Sequence, residues 1–329
     1  MTRRKLLRLG LAALSTPLMA PPWAHAQAKY PERPIRLVIP FPPGGVNDAV
    51  GRPWADKMKG LLGTVVVENV GGAGGAVGAL AVARAQPDGY TLLLGSGGTQ
   101  VIIPIASSQP QYDPVKAFET IALLGITAVC IAVHPSVPVQ TLQELIAYAK
   151  ANPGKLSYGS AGSGTMTHLT GELFKVLSGT PDIVHIPYRG AGPALTDAIS
   201  GHIPMITPNV TGQVIELNKT GKLRILAVTT PTRVAAAPDI PTAIEAGLPN
   251  MISQNFVALF APAGTPRPII EQVAQATRSG LSDRDLQDLF HLAAFEPRPD
   301  SGPEHARRFL DDEITRWSPI IKAIKLKLD

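Results

Sequence analysis

The chain of 329 residues contains a single cysteine, Cys130, so no disulfide can form within it. That residue sits in the apolar run 128–133 and reads as a buried small side chain rather than a reactive thiol. Aromatic residues make up only 5% and charged residues 17%, against 45% hydrophobic. Such a chain buries a sizeable core and is not disordered. Strong charge of one sign is also missing. Of the net +5, four charges (Arg3, Arg4, Lys5 and Arg8) lie in residues 1–28, which carry no acid, so the remainder holds about +1 (5 − 4). That argues against a nucleic-acid partner, which needs a basic surface. After residue 28 no apolar run approaches the roughly 20 residues of a membrane span.

Catalytic signatures are lacking too. The G-x-S-x-G elbow of α/β hydrolases is absent, since Ala161 stands two residues before Ser163. After the leader, the histidines at 134, 168, 185, 202, 291 and 305 form no H-E-x-x-H or H-x-H pattern, so no metal site is expected. The stretch GGAGGAVG (71–78) places Val77 where a dinucleotide fingerprint needs its third glycine, and reads as a tight turn into a close-packed helix. No phosphate-binding G-x-x-x-x-G-K-[ST] loop occurs. No catalytic residue and no cofactor are therefore expected.

What the sequence does contain begins with an export leader. A basic start (TRRKLLRLG), an apolar stretch over 9–20 and small residues at Ala24, Ala26 and Ala28 read as a cleaved signal peptide over 1–28. The pair Arg3-Arg4 leaves twin-arginine export open beside the general route. The expected location is the periplasm.

From Ile35 onward, short β-branched runs alternate with helical patterns, and Gly and Pro (63 residues, 31 + 32) cluster at the junctions. Strands are expected at 35–40, 64–68, 90–95, 128–133, 155–159, 182–187 and 224–230, in βαβ units with a mostly parallel sheet. Helical spacing is clear at 141–152, behind an N-cap at Thr141, and from about 304 to 327. The strand-like segments 121–135 and 222–230 bracket a self-contained stretch. Read as crossing strands, they give a discontinuous first domain (29–125 and 229–329), a second domain (126–228) inserted into it, and a hinge where they cross.

Four small-residue loops follow strands and precede helices: residues 40–48, 95–99, 159–168 and 186–194. In an open α/β sheet, ligands gather where such loops converge. Free N–H groups at helix N-termini suit an anion. In the first loop, Gly44 and Gly45 let the backbone turn, and Asn47 or Asp48 is expected to cap the helix.

At these residues the chain resembles a known family. YPERPIRLVIPFPPGG, VVVENVGGAGG, PDGYTLLLG, NPGKLSYGSAGSGTMTHLTGELF, DIVHIPYRGAGPALTDAISG, PDIPTAIEAGLP and FVALFAPAGTP occur in order over nearly all of the chain after residue 29. They are similar to the Bug family, the extracytoplasmic solute-binding receptors of tripartite tricarboxylate transporters. The resemblance implies a periplasmic binding protein of type II-like α/β fold: two α/β domains, joined by crossing strands, that close around a small carboxylated molecule. One carboxylate is then held by Ser160, Ala161, Gly162, Gly164 and Thr165, with His168 in the family's histidine position. The ligand's other end faces Phe41, Pro42, Gly44 and Gly45, near Asn47 and Asp48, while Thr99 and Tyr188 fall on cleft positions. Asn209 is placed on the cleft floor. Asn47 stands where many relatives have Thr, and Pro208-Asn209 where they often have an acid followed by Asn. The missing acid argues against an amino acid and for a di- or tricarboxylate, aliphatic or aromatic. The partners implied are the membrane components of such a transporter, with the receptor a monomer. A sensor for a histidine kinase is the alternative the sequence leaves open, and a secreted hydrolase or dehydrogenase a remote one.

Overall fold

A computed structural model describes residues 30–328; the leader expected over 1–28 lies outside them. The chain runs β1 (Ile35–Ile39), α1 (Val46–Leu61), β2 (Val65–Asn69), α2 (Ala76–Ala83), β3 (Thr91–Ser96), a π-helical turn (Gly98–Ile102), α3 (Ile103–Ala106) and β4 (Phe118–Ala128). It continues through β5 (Cys130–Val133), α4 (Leu142–Ala151), β6 (Ser157–Ser160), α5 (Met166–Ser178), β7 (Val184–Pro187), α6 (Ala191–Ile199), β8 (Met205–Ile206), α7 (Gly212–Lys219) and β9 (Arg224–Val228). The last part holds β10 (Gln254–Pro262), α8 (Arg267–Leu281), α9 (Arg284–Leu292), β11 (Phe295–Pro297) and α10 (Pro303–Ala323).

The strands form two sheets, ordered β11-β4-β10-β3-β1-β2 and β7-β6-β8-β5-β9. The expected two-sheet α/β architecture is present, but the mostly parallel pairing is corrected: both sheets are mixed. β1 pairs parallel with β2 and β3, and β6 with β7 and β8. β10 is antiparallel to β3 and β4, β11 to β4, and β5 to β8 and β9. The returning strand β10 is buried along nearly its whole length. A strand covered on both faces shows no alternation, so its direction cannot be read from its pattern.

Local chemistry accounts for the elements around the site. Thr141 caps α4 by accepting the Glu144 N–H at 3.1 Å, and Leu142, Leu145 and Ala149 turn inward from one face. On α1, Val50, Trp54 and Met58 recur every fourth residue and are fully buried. Gly78 of α2 lies against the chain just beyond β1 and β2. A Cβ there would come 2.8 Å from Pro40 Cα and 2.6 Å from the Val70 carbonyl oxygen, which is the tight helix packing expected of the glycine-rich stretch.

The sheets meet where β4 passes into β5 through Val129. The Thr229 N–H and hydroxyl both donate to the Val129 carbonyl (2.9 and 2.8 Å), and the Thr229 carbonyl accepts from the Ser253 N–H at 2.7 Å. Loops from the two sides also touch. An added Cβ on Gly74 would lie 2.2 Å from the Ser163 carbonyl oxygen, and one on Gly98 3.0 Å from that of Gly164. Cys130 is fully buried at the start of β5, and burial pushes its thiol pKa up. Among the described residues no helix is long and apolar enough to cross a membrane.

Candidate functional site

A cavity lies where loops from the two sheets meet. From the β1–α1 loop it is lined by Phe41, Pro42 and Gly45, then by Asn47 and Asp48 of α1. From the β6–α5 loop come Ala161 and Thr165, and Asn209 comes from the segment after β8. These expected residues are thus brought together. The structure adds Met166, Thr167, Gly190, Ala191, Ser96 and Asn255.

The added residues expose the organisation of the wall. Gly45, Thr165 and Gly190 are the N-caps of α1, α5 and α6. Three helices therefore start at one cavity. Helical geometry leaves the first-turn N–H groups of Val46, Asn47, Met166, Thr167 and Ala191 without carbonyl partners, and the positive ends of the helix dipoles add to them.

The cap expected from Asn47 or Asp48 is corrected. The helix begins at Val46, so both fall inside its first turn, and Gly45 caps with no side-chain bond. Asn47 instead donates its Nδ2 to the Leu94 carbonyl at 3.0 Å. Asp48 reaches back to the Gly44 N–H (2.7 Å) and receives Arg52 Nε (3.0 Å) and Asn69 Nδ2 (3.2 Å). Asn69 Nδ2 also donates to the Phe41 carbonyl at 2.9 Å. Asp48, the one charged residue of the wall among the described residues, is therefore occupied in holding the first loop. Removing this carboxylate should loosen the loop: Asp48→Ala is expected to lower stability by about 1–3 kcal/mol, read from chemical denaturation, and equal midpoints for variant and wild type would contradict that role.

The second loop is held just as tightly. The Thr165 hydroxyl accepts the His168 N–H (3.2 Å), donates to the Gly162 carbonyl (2.6 Å) and pairs with the Thr167 hydroxyl (2.8 Å). Thr167 Oγ1 accepts the Ala161 N–H at 3.0 Å. Ser160 Oγ lies 2.7 Å from His185 Nε2 and accepts the Gly162 N–H at 3.2 Å. The Gly164 N–H donates to His168 Nδ1 at 3.2 Å. The rings of His168 and His185 stack with centroids 3.9 Å apart, and Tyr158 stacks on His185.

Seven residues for which the resemblance implies cleft contacts do not line this cavity. Thr99 is fully buried, its hydroxyl bonded to the N–H and carbonyl of Ser96. Ser160, Gly164 and His168 spend their polar groups on the loop bonds just described. Gly44 gives its N–H to Asp48. Gly162 and Tyr188 line an adjoining, larger groove, along with Arg189 and Lys327. The Tyr188 hydroxyl donates to Asp197 at 2.7 Å.

Burial, then the Lys175 ammonium, lowers His168 to about 4. Burial, then the neighbouring His168, lowers His185 to about 3, with Glu172 opposing and Lys175 adding to the shift. Both rings are neutral at pH 7. Among the described residues no cluster of three or more His, Cys, Asp or Glu could hold a metal ion.

Two mixed sheets joined at crossing strands, with helix N-termini aimed at a cavity between their loops, define an α/β binding protein of the periplasmic type. The model of the "Tripartite tricarboxylate transporter family receptor" matches residues 50–326, and the chain belongs to this family. It is similar to the solved periplasmic binding protein BugD, at 33% identity and TM-score 0.85, covering 91% of this chain and 99% of that one. It is also similar to MatC of Rhodopseudomonas palustris with bound malate (30%, TM-score 0.84, covering 89% and 100%). A further likeness is to R. palustris Rpa4515 with adipate (30%, TM-score 0.85, covering 91% and 99%).

Proposed function

We propose that the protein captures a small di- or tricarboxylate in the periplasm by hinge closure and delivers it to the membrane components of a tripartite tricarboxylate-type transporter. The observation that carries this reading is the convergence of the α1, α5 and α6 N-termini on one cavity whose single charged side chain among the described residues is already engaged. A carboxylate there is held by peptide N–H groups, and each such bond contributes about 1.5–3 kcal/mol. Four of them support micromolar binding, about −8 kcal/mol, after the losses of association. Malate and adipate, found with two relatives, are both dicarboxylates.

In this reading residues 29–125 with 229–329 form one lobe and 126–228 the other, hinged near Val129 and Thr229, with a cleaved leader over 1–28. Ligand bonds from both lobes are made together only when the lobes are shut, so occupancy stabilises the shut form. The contact of Gly74 with the Ser163 carbonyl then belongs to that form.

A thermal-shift screen with succinate, malate, adipate and citrate tests the proposal, since a ligand at 100 times its dissociation constant adds about 2.7 kcal/mol. A clear rise in melting temperature with at least one of them is expected, and smaller rises with aspartate and glutamate. No rise with any carboxylate overturns it. Because no Lys or Arg among the described residues lines the cavity, affinity measured by calorimetry should change less than about threefold between low and half-molar salt. A steep salt dependence would point to Arg or Lys contacts instead.

A further inference from the structure

One buried polar atom at the cavity is left without a partner. Asn255, the second residue of β10, is 6% exposed and lines the cavity beside Asn209. Its Nδ2 donates to Asn209 Oδ1 at 3.2 Å, and its own Oδ1 is buried with no hydrogen bond. The two side chains come from opposite sides of the crossing. Asn209 bridges to Val129 at the start of the second sheet, while β10 belongs to the first.

Resting on the reading of this cavity as a carboxylate site, we infer that Asn255, oriented by Asn209, is a specificity-determining residue that selects a dicarboxylate bearing a hydroxyl group on its carbon chain. A buried acceptor with no donor retains its full desolvation penalty. A bound carboxylate cannot relieve it, because a carboxylate also only accepts. A hydroxyl relieves it by donating to Oδ1, while the carboxylates beside it take the N–H groups of the helix starts. An ammonium group could donate as well, but it would leave a positive charge facing helix N-termini of the same sign, against a neutral amide. The wall around Asn255 thus offers donors for the ligand's ends and one acceptor for its middle.

Malate and succinate differ by that one hydroxyl and serve as the probes, with affinities measured by calorimetry on the wild-type chain and on Asn255→Leu and Asn255→Ala. The wild type is expected to bind malate at least about tenfold more tightly than succinate. In both variants the ratio should collapse to within about twofold of one. Equal wild-type affinities for the two acids overturn the inference while leaving the carboxylate site standing, and so does a wild-type preference that persists in a folded variant. If neither these acids nor the longer and branched carboxylates bind the wild type, the underlying reading fails instead. The wild-type ratio decides the matter even where a variant does not fold.

Discussion

Gly74→Ala is expected to weaken carboxylate binding at least about tenfold. The added methyl has two separate effects. Gly74 has φ of +65°, a left-handed conformation in which an L residue is strained by about 1–2 kcal/mol, and this strain acts whether or not ligand is present. The second effect is an overlap: the Cβ would lie 2.2 Å from the Ser163 carbonyl oxygen, a backbone atom of the opposing loop. That contact exists only while the two loops are together, so the variant favours their separation and opposes ligand retention. Gly154 supplies the control. It has φ of +73°, and a methyl placed there would find nothing within 4 Å, so Gly154→Ala should lose similar stability with unchanged affinity. Calorimetric titration with malate or adipate, beside thermal melts, reads both effects. Equal affinities for the two variants would show that the Gly74–Ser163 approach has no part in holding the ligand.

Acidification is expected to destabilise the protein before its surface carboxylates titrate. In the unfolded chain His168 and His185 have pKa values near 6.5, while in the fold they are lowered to about 4 and about 3. Between these limits the unfolded state binds more protons, so stability falls as pH falls from about 6.5 towards 3, and is fully present above that window. The structural cause is specific. A proton on His168 Nδ1 removes the acceptor of the Gly164 N–H, and charging both stacked rings sets like charges 3.9 Å apart. The same loop supplies Thr165 and Ala161 to the cavity wall, so affinity should decline in step. Melting temperatures measured from pH 7 to pH 5 should drop more steeply for the wild type than for a His168→Gln/His185→Gln variant. Parallel slopes would place the acid sensitivity elsewhere.

Much of the fold is legible in the sequence, for identifiable reasons. The expected strands at 35–40, 64–68, 90–95, 155–159, 182–187 and 224–230 appear within two residues of their limits, because Gly or Pro lies close to the ends of these short runs. The run 128–133 divides at Val129, where β4 hands over to β5. β10 and the short β8 and β11 are not among the expected strands. β8 has two residues and β11 three, too few for a pattern. β10 has no polar alternation, and only its pairing with β3 and β4 reveals its reversed direction.

The site divides along a different line. Residues that shape loops, such as Thr165 and Gly45, stand out because only certain residues cap helices. Met166 and Ala191 offer only their peptide N–H groups, which every residue except proline carries, so their identity gives no signal. Their one clue is their place, one position after a cap. Asn255 carries a clearer one, an amide next to the apolar run 256–261. His185 is hidden for the opposite reason: its part is to support Ser160 from behind, and a lone histidine in a strand looks the same whether or not it does so.

The burial of Cys130 has a practical consequence. With its sulfur sealed from solvent and its thiolate disfavoured, maleimide reagents should leave the native chain unlabelled. A cysteine introduced at Arg189, on the rim of the groove, would then be the single attachment point for a dye. Under the proposed carboxylate capture, such a dye would report occupancy without first deleting the chain's own sulfur.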